Sequence, residues 1–182
     1  MLYYTLATIL VAGSAVAAPT PGSCTDRSFH NTIVQIRDFN FHANTYHTTP
    51  AHANVNSDVS FKISNPNAAY TALCHASGGI LGTYYDGSLN YDCDIPLGRR
   101  AAESASFNFN YPTGELRINQ TWACSGENSR FFAVGSVKLP LKCDKEEYQN
   151  PHWHEGEIYS NQTITCGELQ ADAKIEIKAA FI

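Results

Sequence analysis

Apolar side chains two residues apart recur along most of this chain, and that spacing constrains its fold more than any other feature. Phe39 and Phe41, Val59 with Phe61 and Ile63, Phe107 with Phe109 and Tyr111, Leu116 with Ile118 and Trp122, Val137 with Leu139 and Leu141, and Ile175 with Ile177 all form such stripes. Residues i and i+2 of an extended chain share a face, so each stripe describes a strand buried on one side. No segment carries a long 3.6-residue apolar period, and Ala171 to Ala180 reads equally as a short helix or a final strand. The expected fold class is all-β, an antiparallel β-sandwich or barrel.

The clearest local element runs Ser106-Phe107-Asn108-Phe109-Asn110-Tyr111, Pro112-Thr113-Gly114, then Glu115 to Trp122. Two alternating segments around a Pro/Gly turn predict a hairpin. Within it Asn119 shares its parity with Arg117 and Thr121, opposite Leu116 and Ile118, and so belongs on the solvent face.

Leu6 to Val16 form an apolar run too short for a bilayer span of about 20 residues. With Ala15 and Ala17 supplying a small-x-small cleavage pattern, residues 1–17 are expected to be a signal peptide and 18–182 a single secreted β domain. About 165 residues then remain, enough to hide roughly 70% of the unfolded surface without help from cysteines. No later stretch is long enough to cross a bilayer as a helix, so no membrane span is expected and the product is expected to be extracellular.

Six cysteines follow the leader: Cys24, Cys74, Cys93, Cys124, Cys143 and Cys166. An even count in an oxidising compartment argues for three bridges, which braces the β domain with disulfides, although six cysteines allow 15 pairings. Spacing offers a hint, since Cys74 to Cys93 and Cys124 to Cys143 each span 19 positions, leaving Cys24 and Cys166 to join the two ends. Asn119-Gln120-Thr121 and Asn161-Gln162-Thr163 are acceptor motifs for N-linked glycans.

The remaining chemistry is sparse. A formal charge of −5, with no basic run beyond Arg99-Arg100, argues against nucleic acid as a partner. His152 and His154 would point the same way in an extended segment, as two metal ligands must, with Glu155 and Glu157 beside them, but Asn150-Pro151 and Gly156 mark a loop. His42, His47 and His52 recur every five residues, matching neither a strand nor a helix face. Asp92 and Asp94 are sequence neighbours, whereas a glycosidase pair sits across a cleft, and there is no Gly-x-Ser-x-Gly elbow. No catalytic residue, cofactor or metal ligand is therefore assigned. The adjacent aromatics Tyr84-Tyr85 and Phe131-Phe132 are expected to place one ring of each pair at the surface.

The opening strand Ile33 to Phe39, the Val59 to Ile63 strand, Cys74, Tyr91-Asp92-Cys93, Phe107-Asn108-Phe109, Leu116 to Cys124 and Leu139-Pro140-Leu141-Lys142-Cys143 together resemble fungal small secreted proteins of the Alternaria-allergen-like family. The resemblance spans roughly residues 30–145. It implies a β-sandwich or barrel, an extracellular or cell-wall location, and action by binding host proteins or triggering plant immune recognition, with no catalytic residues to transfer. It also implies the pairs Cys74 with Cys93 and Cys124 with Cys143. The family's best-known members can dimerise through an extra N-terminal cysteine, whereas here Cys24 is expected to pair internally with Cys166, so a monomer or non-covalent dimer is expected. The resulting expectation is a non-enzymatic effector or elicitor that binds a host extracellular protein or cell-wall component. A polysaccharide binder or carbohydrate-active hydrolase is the alternative.

Overall fold

The computed structural model describes residues 20–79, 85–96 and 103–181, so the expected leader, Arg99-Arg100 and Tyr84 lie outside the described residues. In chain order the elements are α1 (Cys24–His30), β1 (Ile33–Thr49), β2 (His52–Ser64), β3 (Thr71–Gly78), β4 (Tyr91–Asp94), β5 (Ser104–Asn110), β6 (Glu115–Cys124), β7 (Ser129–Lys138), β8 (Cys143–Gln149) and β9 (Ser160–Phe181). Each strand pairs antiparallel with the next from β1 to β7, β7 pairs with the second half of β9, and β9 returns to β1. The ladder closes on itself. The fold is thus an eight-stranded barrel with β8 as an additional strand on β9, and the sandwich is excluded because there are not two separate sheets. Ala171 to Ala180 resolves as strand, within β9.

Closure buries the predicted stripes. Phe39, Phe41, Phe61, Phe107, Phe109, Leu116, Ile118 and Trp122 are all at most 3% exposed and belong to one core. Phe41 packs against Phe109, Tyr85 and Tyr111, while Phe61 meets Phe107 edge-on. Burying each such ring contributes about 1.5–3 kcal/mol to stability.

β1 changes phase to do this. Val34 and Ile36 face inward, then Phe39, Phe41 and Ala43 do, and the register against both neighbours slips between these groups. The extra residue is accommodated at a bulge where Asp38 takes a left-handed φ of 53°, with its carboxylate on Lys62 Nζ at 2.7 Å.

One barrel end is covered by α1, which at seven residues is too short to be stable alone. Ser23 caps it locally, accepting from the Asp26 backbone N–H at 3.1 Å. Tertiary contacts do the rest: Cys24 is bonded to Cys124, Thr25 and Ser129 share a hydroxyl contact, and Trp122 donates to Ser28.

The disulfides are Cys24–Cys124, Cys74–Cys93 and Cys143–Cys166. Cys74 with Cys93 is the pair expected; Cys124 with Cys143 and Cys24 with Cys166 are not formed. The reason lies in β7. Its ten residues extend about 33 Å and carry the chain from Cys124, paired with Ser129 at one end of the ladder, to Cys143 beyond the other. Cys143 instead sits directly opposite Cys166, and Cys74 opposite Cys93, with Cα atoms 4.0 and 4.2 Å apart. That closeness is what a directly opposed antiparallel pair supplies.

Candidate functional site

Two exposed regions stand apart from core and scaffold. The first is a groove of about 1000 Å³ on the wall formed by β6, β7 and β9. Its residues follow from strand parity: with Leu116 and Ile118 inward, Glu115, Arg117 and Asn119 point out, joined by Val134 and Ser136 of β7 and Lys174 and Glu176 of β9. Phe29 and Thr32 also line it, with Gly135, Ile175 and Ile177. Gly135 shapes the wall. A Cβ there would lie 2.8 Å from both Ile175 Cγ2 and the Lys174 carbonyl oxygen, so only glycine permits this approach of β7 to β9.

The groove mixes apolar surface from Phe29, Val134 and Ile177 with charges of both signs. Arg117 Nε holds Glu115 Oε1 at 2.9 Å and keeps that carboxyl below its usual range. Lys178 holds Glu176 at 2.6 Å. Apolar and charged side chains thus share one concave wall, a mixture that protein interfaces also carry.

The second region is a four-stranded extension. β1 and β2 run past the end of β3, and β8 and the first half of β9 complete the order β2-β1-β9-β8. Its register produces two cross-strand rows on one face, Asn54, Tyr46, Asn161 and Tyr148 then Asn56, Asn44, Thr163 and Glu146, and a third, Asp58, His42, Thr165 and Asp144, follows where β3 already pairs with β2. Tyr46 and Tyr148 are 38% and 54% exposed. Asn44 and Asn161 both donate toward Thr163 Oγ1, at 3.3 and 3.5 Å.

The β8–β9 connection at the tip is held by its own side chains. Asn150 donates to Glu157 Oε2 and accepts from the His152 backbone, and Glu157 Oε2 also accepts from the His154 backbone. Trp153 donates its indole N–H to the Glu157 carbonyl at 2.9 Å and meets Tyr159 edge-on, so it packs within the loop.

The residues weighed for chemistry are dispersed. His152, His154, Glu155 and Glu157 are exposed on this loop. His42 and His47 lie on opposite faces of β1, near Thr165 and Ser160, and His52 begins β2. Asp92 and Asp94 are exposed on either side of Cys93. Among the described residues no group of three or more His, Cys, Asp or Glu is placed to hold a metal ion. Phe131 is buried with Phe132 partly exposed, as expected; Tyr85 is buried and donates to the Ala76 carbonyl at 2.7 Å, and its neighbour Tyr84 lies outside the described residues. Asn119 lies on the outer face as predicted, its amide donating to Ser106 Oγ at 3.4 Å. The exposed tyrosines of the extension, Tyr46 and Tyr148, were not singled out by sequence. Their period-2 placement in polar strands was visible, but their alignment depends on pairings more than 100 residues apart in sequence.

A closed aromatic-filled antiparallel barrel, plugged by a short helix and crosslinked by three disulfides, defines a small disulfide-stabilised β-barrel protein whose distinctive residues lie on its outer walls. Three bridges and no free cysteine are compatible with an oxidising compartment. The sequence model of the family described as Alternaria alternata allergen 1 matches residues 36–166, and the chain belongs to that family. No curated protein and no solved structure matches it. Among the described residues no helix is long and apolar enough to cross a membrane.

Proposed function

We propose that this protein is a secreted, non-enzymatic fungal effector or elicitor that binds a host extracellular protein and modulates plant immunity. The observation that carries the reading is the groove on β6, β7 and β9, where apolar side chains and paired charges share one wall. Such a surface recognises a polypeptide by apolar contact and charge complementarity, and charge placement sets the choice of partner. Disulfides across the barrel suit a protein that must keep this surface intact outside the cell. Membership of an allergen family adds support for extracellular action without naming a partner.

The test is infiltration of the oxidised mature protein into leaf tissue, beside its reduced and alkylated form and the Arg117→Glu/Lys174→Glu variant. Cell death and oxidative burst are scored. A response from the oxidised protein that both other forms lose supports recognition through the folded groove. Equal responses from the reduced form would sink the reading, and full activity in the charge variant would remove the groove from it.

A further inference from the structure

We propose that Asn161 carries an N-linked glycan whose first sugar is seated between Tyr46 and Tyr148. Three observations converge on this position. Asn161-Gln162-Thr163 is an acceptor motif. Asn161 occupies the interior strand of the extension, directly paired with Tyr46 on β1 and with Tyr148 on β8. Directly paired residues project to the same face with Cβ atoms about 5 Å apart, so both rings flank the attachment point. Both tyrosines are exposed, at 38% and 54%, although each offers a large apolar face.

A pyranose carries its hydroxyls around the ring edge and presents C–H groups on its faces. An aromatic ring beside the attachment point therefore covers apolar sugar surface while leaving the hydroxyls in water. The sugar added at Asn161 covers the two tyrosines and is itself held by them. The Asn161 carboxamide oxygen is buried in the folded sheet, so modification has to occur before β9 pairs with β1 and β8.

The second acceptor motif supplies an internal comparison. Asn119 pairs with Ser106 on β5 and Val134 on β7, so no aromatic ring flanks it directly. The nearest exposed ring is that of Phe29 across the groove, not on a paired strand. The two motifs, alike in sequence, thus differ in what their neighbours do.

The experiment uses full-length chain expressed in a eukaryotic secretory host, with glycopeptide mass spectrometry at Asn161 and the rate of enzymatic glycan release from native protein. The wild type is compared with Tyr46→Ala/Tyr148→Ala and with Tyr46→Phe/Tyr148→Phe, which keeps both rings. Asn161 is expected to be occupied. Release from it is expected to be about tenfold faster in the alanine variant, the factor that two exposed stacking contacts of ordinary size provide. The phenylalanine variant should match wild type, and all three should react alike once reduced and denatured. An unoccupied Asn161, or equal native release rates in wild type and the alanine variant, overturns the proposal. So does an unmodified protein retained on insoluble glucan through the same tyrosines, which would assign the rings to an external sugar.

Discussion

Trp122 donates its indole N–H to the hydroxyl of Ser28 at 2.9 Å, and both side chains are fully buried where α1 meets the barrel. The ring also stacks on Phe131 at 5.5 Å, and Phe131 in turn meets Phe29 of the helix. This one hydrogen bond joins the largest core side chain to an element that does not hold its own shape. Ser28→Ala leaves the indole N–H buried without its acceptor, which costs about 1–3 kcal/mol. Urea denaturation should show that loss as a lower midpoint with an unchanged slope. An unchanged midpoint would mean that another group takes over the acceptor role.

Glu127 ties the same helix to the β6–β7 turn and makes the attachment pH-dependent. Its carboxylate accepts the backbone N–H groups of Cys24 and Thr25 at 2.9 and 2.8 Å. The Thr25 hydroxyl and then these backbone groups pull its pKa down to about 2. The folded state therefore binds the proton less readily than the unfolded chain does. Stability from this contact is complete above the ordinary glutamate range and is lost as pH falls from there toward 2. Wild type should melt above Glu127→Gln at neutral pH, and the two melting temperatures should converge near pH 2. A gap that persists in acid would show that charge is not what holds the helix.

Much of this architecture was legible because strand alternation is local. Phe107, Phe109, Leu116 and Ile118 announced both their strands and their inward faces, and the Pro112-Thr113-Gly114 turn joined them. What was not legible depended on pairings between distant segments. Closure into a barrel requires β9 to return to β1, and no local pattern distinguishes that from two packed sheets. Cys124 and Cys143 share the spacing of Cys74 and Cys93, but the full strand β7 separates the first pair whereas the second pair sits directly opposed on β3 and β4. The groove was hidden for the same reason: Arg117 and Lys174 are 57 positions apart and meet on one wall only because β7 lies between them.

Gly135 tests that wall directly. Both atoms that an added Cβ would meet at 2.8 Å belong to β9, and one is a backbone oxygen that cannot turn aside. Gly135→Ala should therefore destabilise by about 1–3 kcal/mol, the usual range for overpacking. Heteronuclear NMR should place its largest chemical-shift changes at Lys174 and Ile175. Wild-type stability in this variant would show that β7 and β9 separate freely, and that glycine is not what shapes the groove.

The disulfides make unequal contributions that follow from where they close the chain. Cys24–Cys124 closes a loop with a sequence separation of 100, for which chain entropy gives about 4.7 kcal/mol. Cys143–Cys166, with a separation of 23, gives about 3.4 kcal/mol on the same basis. The long bridge also fastens α1, so its loss removes a constraint on the unfolded chain and a link in the folded one. Cys24→Ser/Cys124→Ser should therefore be the more destabilised of the two double variants in denaturant titrations. Cys74–Cys93 has a different task. It spans the ladder between β3 and β4, where only two residue pairs connect the strands. Hydrogen exchange in Cys74→Ser/Cys93→Ser should accelerate first around β4, before the rest of the barrel. Peptide mapping under non-reducing conditions decides the foundation of all three expectations, because recovery of a Cys124–Cys143 crosslink would require opposite ends of β7 to meet and is incompatible with this barrel.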